Sequence, residues 1–190
     1  MLIAFSGAQS SGKSTLLEKC KELDELKGYF FVEEVTRRIK RENYVPINND
    51  SDNYDYTQAL IVSDHIKNMA LKNAVLDRCA LDGYIYTRYF YEENKVSRLL
   101  YNFAFDTYYY RAIQQYNIIF YTDPNIPLVD DGERSIDSDF RHRIVTLFEN
   151  EIKMMRRTIE TRNIKTSIVT LTGSVDERME LIRKTLKDAH

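Results

Sequence analysis

The sequence has no tryptophan, two cysteines and no excess of positive charge. Cys20 and Cys79 lie far apart, one in a stretch of helical pattern and one in a loop, and they form no C-x-x-C pair. They read as free thiols, buried or half-buried, in a reducing compartment. The net charge of −2 and the pI near 6.0 provide no globally basic surface. That argues against a protein that lives on nucleic acid, though it leaves a nucleic acid open as a reactant. No apolar run approaches the roughly 20 residues that span a bilayer. No basic leader precedes the first apolar segment, which begins at Leu2. A cytoplasmic protein without membrane contact is therefore expected. There is no internal repeat and no low-complexity linker. The 190 residues are expected to fold as one domain, 1–190, long enough for a real core.

What the chain does contain is Gly7-Ala8-Gln9-Ser10-Ser11-Gly12-Lys13-Ser14, followed by Thr15. These residues match G-x-x-x-x-G-K-[ST] at every fixed position. The stretch follows the apolar run Leu2–Ser6 and precedes Leu16-Leu17-Glu18-Lys19-Cys20, a helical pattern. That is the strand–loop–helix context the motif needs, and it outweighs the bland reading of a Gly/Ser turn. The glycines let the loop turn its N–H groups onto a phosphate chain, and the helix start adds donors and a positive dipole end. Gly7, Ser10, Ser11, Gly12, Lys13, Ser14 and Thr15 are thus the candidate ATP-binding residues. Lys13 brings a charge to the outer phosphates, and the Ser14 hydroxyl can hold Mg2+.

The first helix is expected to run to about Leu26, with Gly28 as its stop. Tyr29–Val32 reads as a second strand buried on both faces. Glu33-Glu34-Val35-Thr36-Arg37-Arg38 follows, either a solvated helix start or a group of ligand-facing charges at a strand end. The polar stretch Arg41–Asp55, with Asn48–Asn53, reads as a loop. Tyr54–Leu71 is an expected helix with Ala59, Leu60, Ser63, Ile66, Met69 and Ala70 on its apolar face, which puts His65 on the exposed side without a role. Ala74-Val75-Leu76 is a short buried strand ending in Asp77-Arg78. A carboxylate at that tip fits a second magnesium contact, so Ser14 and Asp77 are the candidate metal residues. Asp82 suits a helix-capping carboxylate better than Asp77 does.

Helices are expected over 82–93 and 96–116. The aromatics Tyr101, Phe105, Tyr108, Tyr109 and Tyr110 of the second read as packing more readily than as base stacking. Asn117–Tyr121 reads as a fourth strand, followed by a polar segment at about 124–138 that carries Asp130-Asp131-Gly132-Glu133-Arg134. An arginine beside a glycine hinge there suits a closing lid. Arg141 follows one turn into the next helix, 139–160, and is placed to face that lid. Ser167–Leu171 is a fifth strand, and Val175, Met179, Ile182 and Leu186 mark a final helix. The Thr172–Asp176 turn between them could abut an adenine ring. Five strands alternating with helices predict an α/β fold, a parallel sheet with helices on both faces.

Phosphoryl transfer needs a phosphate cradle, a magnesium carboxylate, a group at the acceptor hydroxyl and cations for the transition state. The chain offers Gly7–Thr15, Asp77, Glu34, and Arg134 with Arg37 or Arg78, all at strand ends or in the lid. On these residues the sequence resembles the nucleoside and nucleotide kinase branch of the P-loop fold. Within it the resemblance is to the group holding the ribosylnicotinamide kinase domain of NadR and small AAA-type ATPases. It rests on Gly7–Ser14, on Glu34-Val35-Thr36-Arg37, on Asp77-Arg78 with Asp82, and on Asp130–Arg134. The resemblance implies a three-layer P-loop kinase fold with a lid, and a catalytic set of Lys13, Glu34, Asp77 and Arg134. It also implies that Glu34 or Asp77 contacts the acceptor hydroxyl and that Arg37, Arg78 and Asp82 face the substrate. The implied partner is a small nucleoside or nucleotide acceptor, with a homodimer left open. A regulatory P-loop ATPase is the competing reading. Against it, the guanine-reading N-K-x-D pattern fails at Ser97 of Asn94-Lys95-Val96-Ser97, and no paired Asp-Glu ends an apolar strand.

Overall fold

Leu2–Ser6 (β1) is buried along its whole length, which only an interior strand can be. A computed structural model describes residues 1–43, 54–124 and 138–189 of the chain. After β1 come Lys13–Cys20 (α1), Phe30–Val32 (β2), Val35–Asn43 (α2), Tyr54–Asn68 (α3), Ala74–Asp77 (β3), Ala80–Glu92 (α4) and Arg98–Asp106 (α5). Ile118–Thr122 (β4), Ser138–Thr161 (α6), Ser167–Leu171 (β5) and Val175–Ala189 (α7) complete the described strands and α-helices. The five strands are all parallel, in the order β2-β3-β1-β4-β5.

The pleat divides the core. Leu2 and Ala4 of β1, Leu76 of β3 and Ile119 of β4 join the side chains of α4, α5 and α6 on one face. Ile3, Phe5, Val75, Ile118 and Phe120 point the other way, onto Leu16, Leu17 and Cys20 of α1 and Met179, Ile182 and Leu186 of α7. The result is three layers, as expected from strands with no polar face. Tyr84 and Tyr108 stack in the first core with ring centroids 5.1 Å apart, so Tyr108 is a packing residue. Among the described residues no helix is long and apolar enough to cross a membrane.

Several expectations are corrected. The first helix ends at Cys20 and passes into a separate 3-10 turn at Asp24–Leu26, although Gly28 does adopt a left-handed φ of 84°. Strand β2 is an edge strand, and Phe30 is 69% exposed, because β3 covers only one of its sides. The expected helix over 96–116 begins at Arg98, and beyond Asp106 its turns widen into a π-helix at Thr107–Arg111. On α3 the buried face is the opposite of the one expected. Thr57, Gln58, Ile61, Val62, His65 and Asn68 are buried, while Ile66 is exposed. His65 packs so closely on Gly83 of α4 that a Cβ there would lie 2.8 Å from its ring. Gln58 on this face accepts from Thr87 Oγ1 of α4 at 3.1 Å.

Candidate active site

In a fully parallel sheet every carboxyl end lies on one rim. The order β2-β3-β1-β4-β5 puts the end of β1 between those of β3 and β4, where the connections diverge. The chain leaves β1 at Gly7 with φ of 139°. A Cβ at Gly7 would lie 2.6 Å from Thr122 Oγ1 and 2.8 Å from the Thr122 carbonyl, so the loop needs glycine to pass the end of β4. Thr122 Oγ1 donates to Ser6 O at 3.1 Å and lies 2.6 Å from Ser11 Oγ, which therefore donates to it. Gly12, with φ of 84°, is the N-cap of α1, and no acidic side chain stands in that helix's first turn. The loop thus ends on a helix N-terminus whose donors and dipole favour an anion.

Lys13 is buried inside this loop. Its Nζ donates to Gly7 O at 2.9 Å, Ala8 O at 2.7 Å and Ser11 Oγ at 3.2 Å. All three acceptors are neutral. Burial, with the nearby Arg78 charge second, lowers the Lys13 pKa to about 7. A phosphate group would offer the ammonium a charged partner instead, the stronger kind of hydrogen bond. Ser14 and Thr15 are exposed on the same turn.

Across the loop, Asp77 stands in register with Phe5 of β1, which brings it beside the loop's start. Its Oδ1 is buried and has no hydrogen-bond partner, and burial, then the Glu34 charge, raise its pKa. An unpartnered buried carboxylate oxygen is costly unless something binds it. No group of three or more acidic, histidine or cysteine ligands stands together among the described residues. One carboxylate with the Ser14 hydroxyl is a donor set that fits magnesium, which keeps water and phosphate in most of its positions.

Arg78 holds a buried charged cluster together beside the loop. Its backbone is left-handed, φ 76°, with its N–H on Phe5 O at 2.9 Å. A long side chain in that region carries strain of about 1 kcal/mol or more, set here against a dense set of contacts. Nε donates to Glu34 Oε1 at 2.7 Å, and Nη1 donates to Asp82 Oδ1 at 3.2 Å and Gly7 O at 3.3 Å. The guanidinium lies 5.3 Å from the Tyr86 ring centroid. Burial opposes its charge, but the surrounding groups, Glu34 foremost, together outweigh burial and raise its pKa. Glu34 is buried and its Oε2 also meets Arg37 Nε at 3.3 Å.

Asp82 combines two arrangements. The expectation of Asp82 as the capping residue is corrected: Cys79 is the N-cap of α4, and Asp82 at the third helical position accepts from the Cys79 N–H through Oδ2 at 3.1 Å, so it caps from within the first turn. The same carboxylate accepts from Ser6 Oγ at 2.7 Å and from the Gly7 N–H at 3.3 Å. It therefore braces the loop and Arg78 from beneath. Both thiols are free and buried; burial pushes Cys20 up to about 12 and Cys79 higher still, so neither is a nucleophile at neutral pH.

The structure thus brings Lys13, Asp77, Arg78, Asp82, Glu34 and Arg37 to one place. Arg134, with Asp130–Glu133, and the Asn48–Asn53 stretch lie outside the described residues. Arg141 donates to the Pro124 carbonyl at 2.6 Å. Sequence reading missed three contributors: Thr122 behind the loop, Tyr86 with its OH 3.3 Å from Gln9 Oε1, and Arg178. Arg178 left a trace, a charge in the apolar phase of the last helix, four residues before Ile182.

Solved structures share this architecture. Deoxyadenosine kinase from M. mycoides, with the products dCMP and a flexible dCDP bound, superposes with a TM-score of 0.71 at 21% identity over 100% of both chains. NadR in complex with NR matches with a TM-score of 0.63 at 16% identity, over 98% of this chain and 50% of that one. YorR from Bacillus subtilis, in complex with phosphorylated GDP, matches with a TM-score of 0.55 at 18% identity over 100% and 99%. At these identities the likeness is one of fold. Among curated proteins there is no significant match. The model of the AAA domain family AAA_28 matches residues 2–178, nearly the whole chain, and the chain belongs to that family.

Proposed function

We propose that the chain is an ATP- and magnesium-dependent phosphotransferase, a kinase that moves the terminal phosphoryl group of ATP to a nucleoside, nucleotide or nucleoside-like acceptor. The observation that carries this is the Gly7 carbonyl. It accepts from Lys13 on the phosphate-loop side and from Arg78 on the acceptor side. The donor cradle and the buried Glu34–Arg78–Asp82 cluster are therefore one site with two halves, which a nucleotide-holding switch does not require.

In that site the N–H groups of the loop and α1 hold the phosphates, and Lys13 follows the outer ones. Ser14 and Asp77 would hold a magnesium ion, which when bound neutralises phosphate charge. Glu34, fixed by Arg78 and Arg37, takes the proton of the acceptor hydroxyl. Arg37 and Arg78 orient the acceptor, and Arg134, which lies outside the described residues, is the candidate for a further positive charge at the transferred group. The shared fold with deoxyadenosine kinase, and with NadR in complex with NR, supports a nucleoside-like acceptor. Small soluble reactants and free thiols suit a cytoplasmic protein.

The test is transfer from radiolabelled ATP to nucleosides, nucleoside monophosphates, nicotinamide riboside and DNA or RNA ends. Label on a nucleoside-type acceptor is the expected result. Label only in free phosphate would replace this reading with that of a regulatory ATPase. Label on nucleic-acid ends alone would move the acceptor to that class.

A further inference from the structure

Arg178 lies in the first turns of α7, far from Gly7 in sequence, yet the residue is 3% exposed and its guanidinium reaches the phosphate loop. Nη1 donates to Ser11 O at 3.0 Å, Nε to Gly173 O at 3.0 Å and Nη2 to Asp123 O at 3.4 Å. These carbonyls belong to three segments on the sheet's carboxyl rim: the loop after β1, the end of β4 and the turn after β5. Arg178 makes no ion pair among the described residues. Its hydrogen bonds all go to neutral carbonyls, and burial outweighs the favourable charge of the nearby Asp123, so the cation is costly as mere filling. The observation that needs explaining is therefore where its donors point.

Ser11 O is half of the peptide whose other half is the Gly12 N–H. In a trans peptide the two point in opposite directions. A carbonyl held toward α7 thus leaves the Gly12 N–H directed the other way. Gly12 has φ of 84° and caps α1. Glycine at this position makes rotation of the preceding peptide cheap, and rotation would turn a phosphate donor away. The Ser11 side chain is held independently by Thr122 Oγ1 at 2.6 Å. Arg178 supplies what that bond does not, a fixed orientation of the peptide plane.

We propose that Arg178 is a positioning residue of the phosphate loop, which locks the Ser11–Gly12 peptide so that the Gly12 N–H serves the triphosphate and ties that peptide to the turns after β4 and β5. This rests on the reading of Gly7–Ser14 as the triphosphate cradle. The planar fork is essential, since its Nη1 and Nη2 reach two segments while Nε reaches a third. Lysine would keep the charge and lose the fork.

The experiment compares wild type, Arg178→Gln and Arg178→Lys by two measurements. The first is amide hydrogen exchange of the nucleotide-free protein, with a peptide covering residues 7–14 read against one covering 98–106 in α5. The second is the affinity for a fluorescent ATP analogue. Arg178→Gln is expected to speed exchange in 7–14 but not in 98–106, and to weaken the analogue about 10- to 100-fold, the range for one charge-assisted hydrogen bond. Arg178→Lys, the variant more certain to fold, is expected to show the same loop-confined exchange and at least about 5-fold weaker binding. Exchange and affinity like wild type in either folded variant would overturn the proposal. So would faster exchange spread equally over both peptides, which is what a merely structural strut produces. A wild type that fails to bind the analogue sinks the cradle reading, while the exchange comparison still decides whether Arg178 locks the loop.

Discussion

Lys13 and Arg78 donate to the same backbone oxygen, the carbonyl of Gly7, at 2.9 and 3.3 Å. Two buried cations so placed repel each other, which is part of why the Lys13 pKa falls to about 7. Carboxylates fix only one of them: Arg78 pairs with Glu34 and Asp82, while Lys13 has neutral partners. Lys13 is thus the cation without a carboxylate partner in hydrogen-bond contact, and Arg78 the one held by two. On the proposed function, an arriving phosphate chain would recruit the first and leave the second in place.

Lys13→Ala is expected to abolish ATP-dependent transfer with the fold intact by circular dichroism; ordinary turnover in the variant would end the cradle reading. The pH dependence follows from the lowered pKa. The unfolded chain keeps this proton to about 10.5 and the folded chain releases it near 7, so this group's contribution to stability rises with pH across that window. Near pH 8 a triphosphate should restore the proton. Calorimetry in buffers of different ionisation enthalpy should therefore report proton uptake for wild type and none for Lys13→Ala, and equal heats in both would contradict the assignment.

Glu34→Gln should reduce transfer by about 10²–10⁴-fold while leaving ATP affinity nearly unchanged. The glutamine keeps the shape and can still accept from Arg78 Nε, and an unchanged circular dichroism spectrum is expected. If ATP affinity collapses instead, Glu34 belongs to the donor half.

Asp77→Asn should separate stability from function. The folded carboxyl has its pKa raised, so its charge weighs against folding increasingly as pH climbs above the unfolded value of 3.8. The amide removes that burden, and the variant should melt at a higher temperature than wild type at pH 7. Magnesium titration should at the same time lose its effect on nucleotide affinity. A lower melting temperature with normal magnesium dependence would show Asp77 to be structural.

His65 should make the protein acid-sensitive. Burial lowers its pKa to about 4, against 6.5 in the unfolded chain. The unfolded state therefore binds the proton first as pH falls, and stability is lost progressively from about 6.5 down to about 4, by up to roughly 3 kcal/mol. Urea unfolding at pH 7 and pH 5 should show the loss in wild type and much less of it in His65→Gln. An equal loss in both would place the titrating group elsewhere.

How legible the site was depended on the range of the signal. The phosphate loop can be read directly, because Gly7 and Gly12 mark positive φ angles and the flanking periodicities of β1 and α1 are local. Asp77 stood out as a carboxylate at the tip of a short apolar strand. The contacts of Arg78 were not legible: nothing in Asp77-Arg78-Cys79 signals a left-handed arginine, since the contacts that stabilise it come from Glu34 and Asp82. On α3 the pattern misled. Its buried face carries Thr57, Gln58, His65 and Asn68, so hydrophobicity pointed to the wrong side.

By itself the sequence determined the phosphate loop and where the strands fall, because strand period and glycine conformation are properties of neighbouring residues. It determined the alternation that makes a parallel sheet. The tertiary structure alone decided the order β2-β3-β1-β4-β5, and with it the exposure of β2, the burial of His65 and the meeting of Lys13 with Arg78 at Gly7. Those depend on which side of β1 each crossover takes, a choice set by packing between segments far apart in the chain.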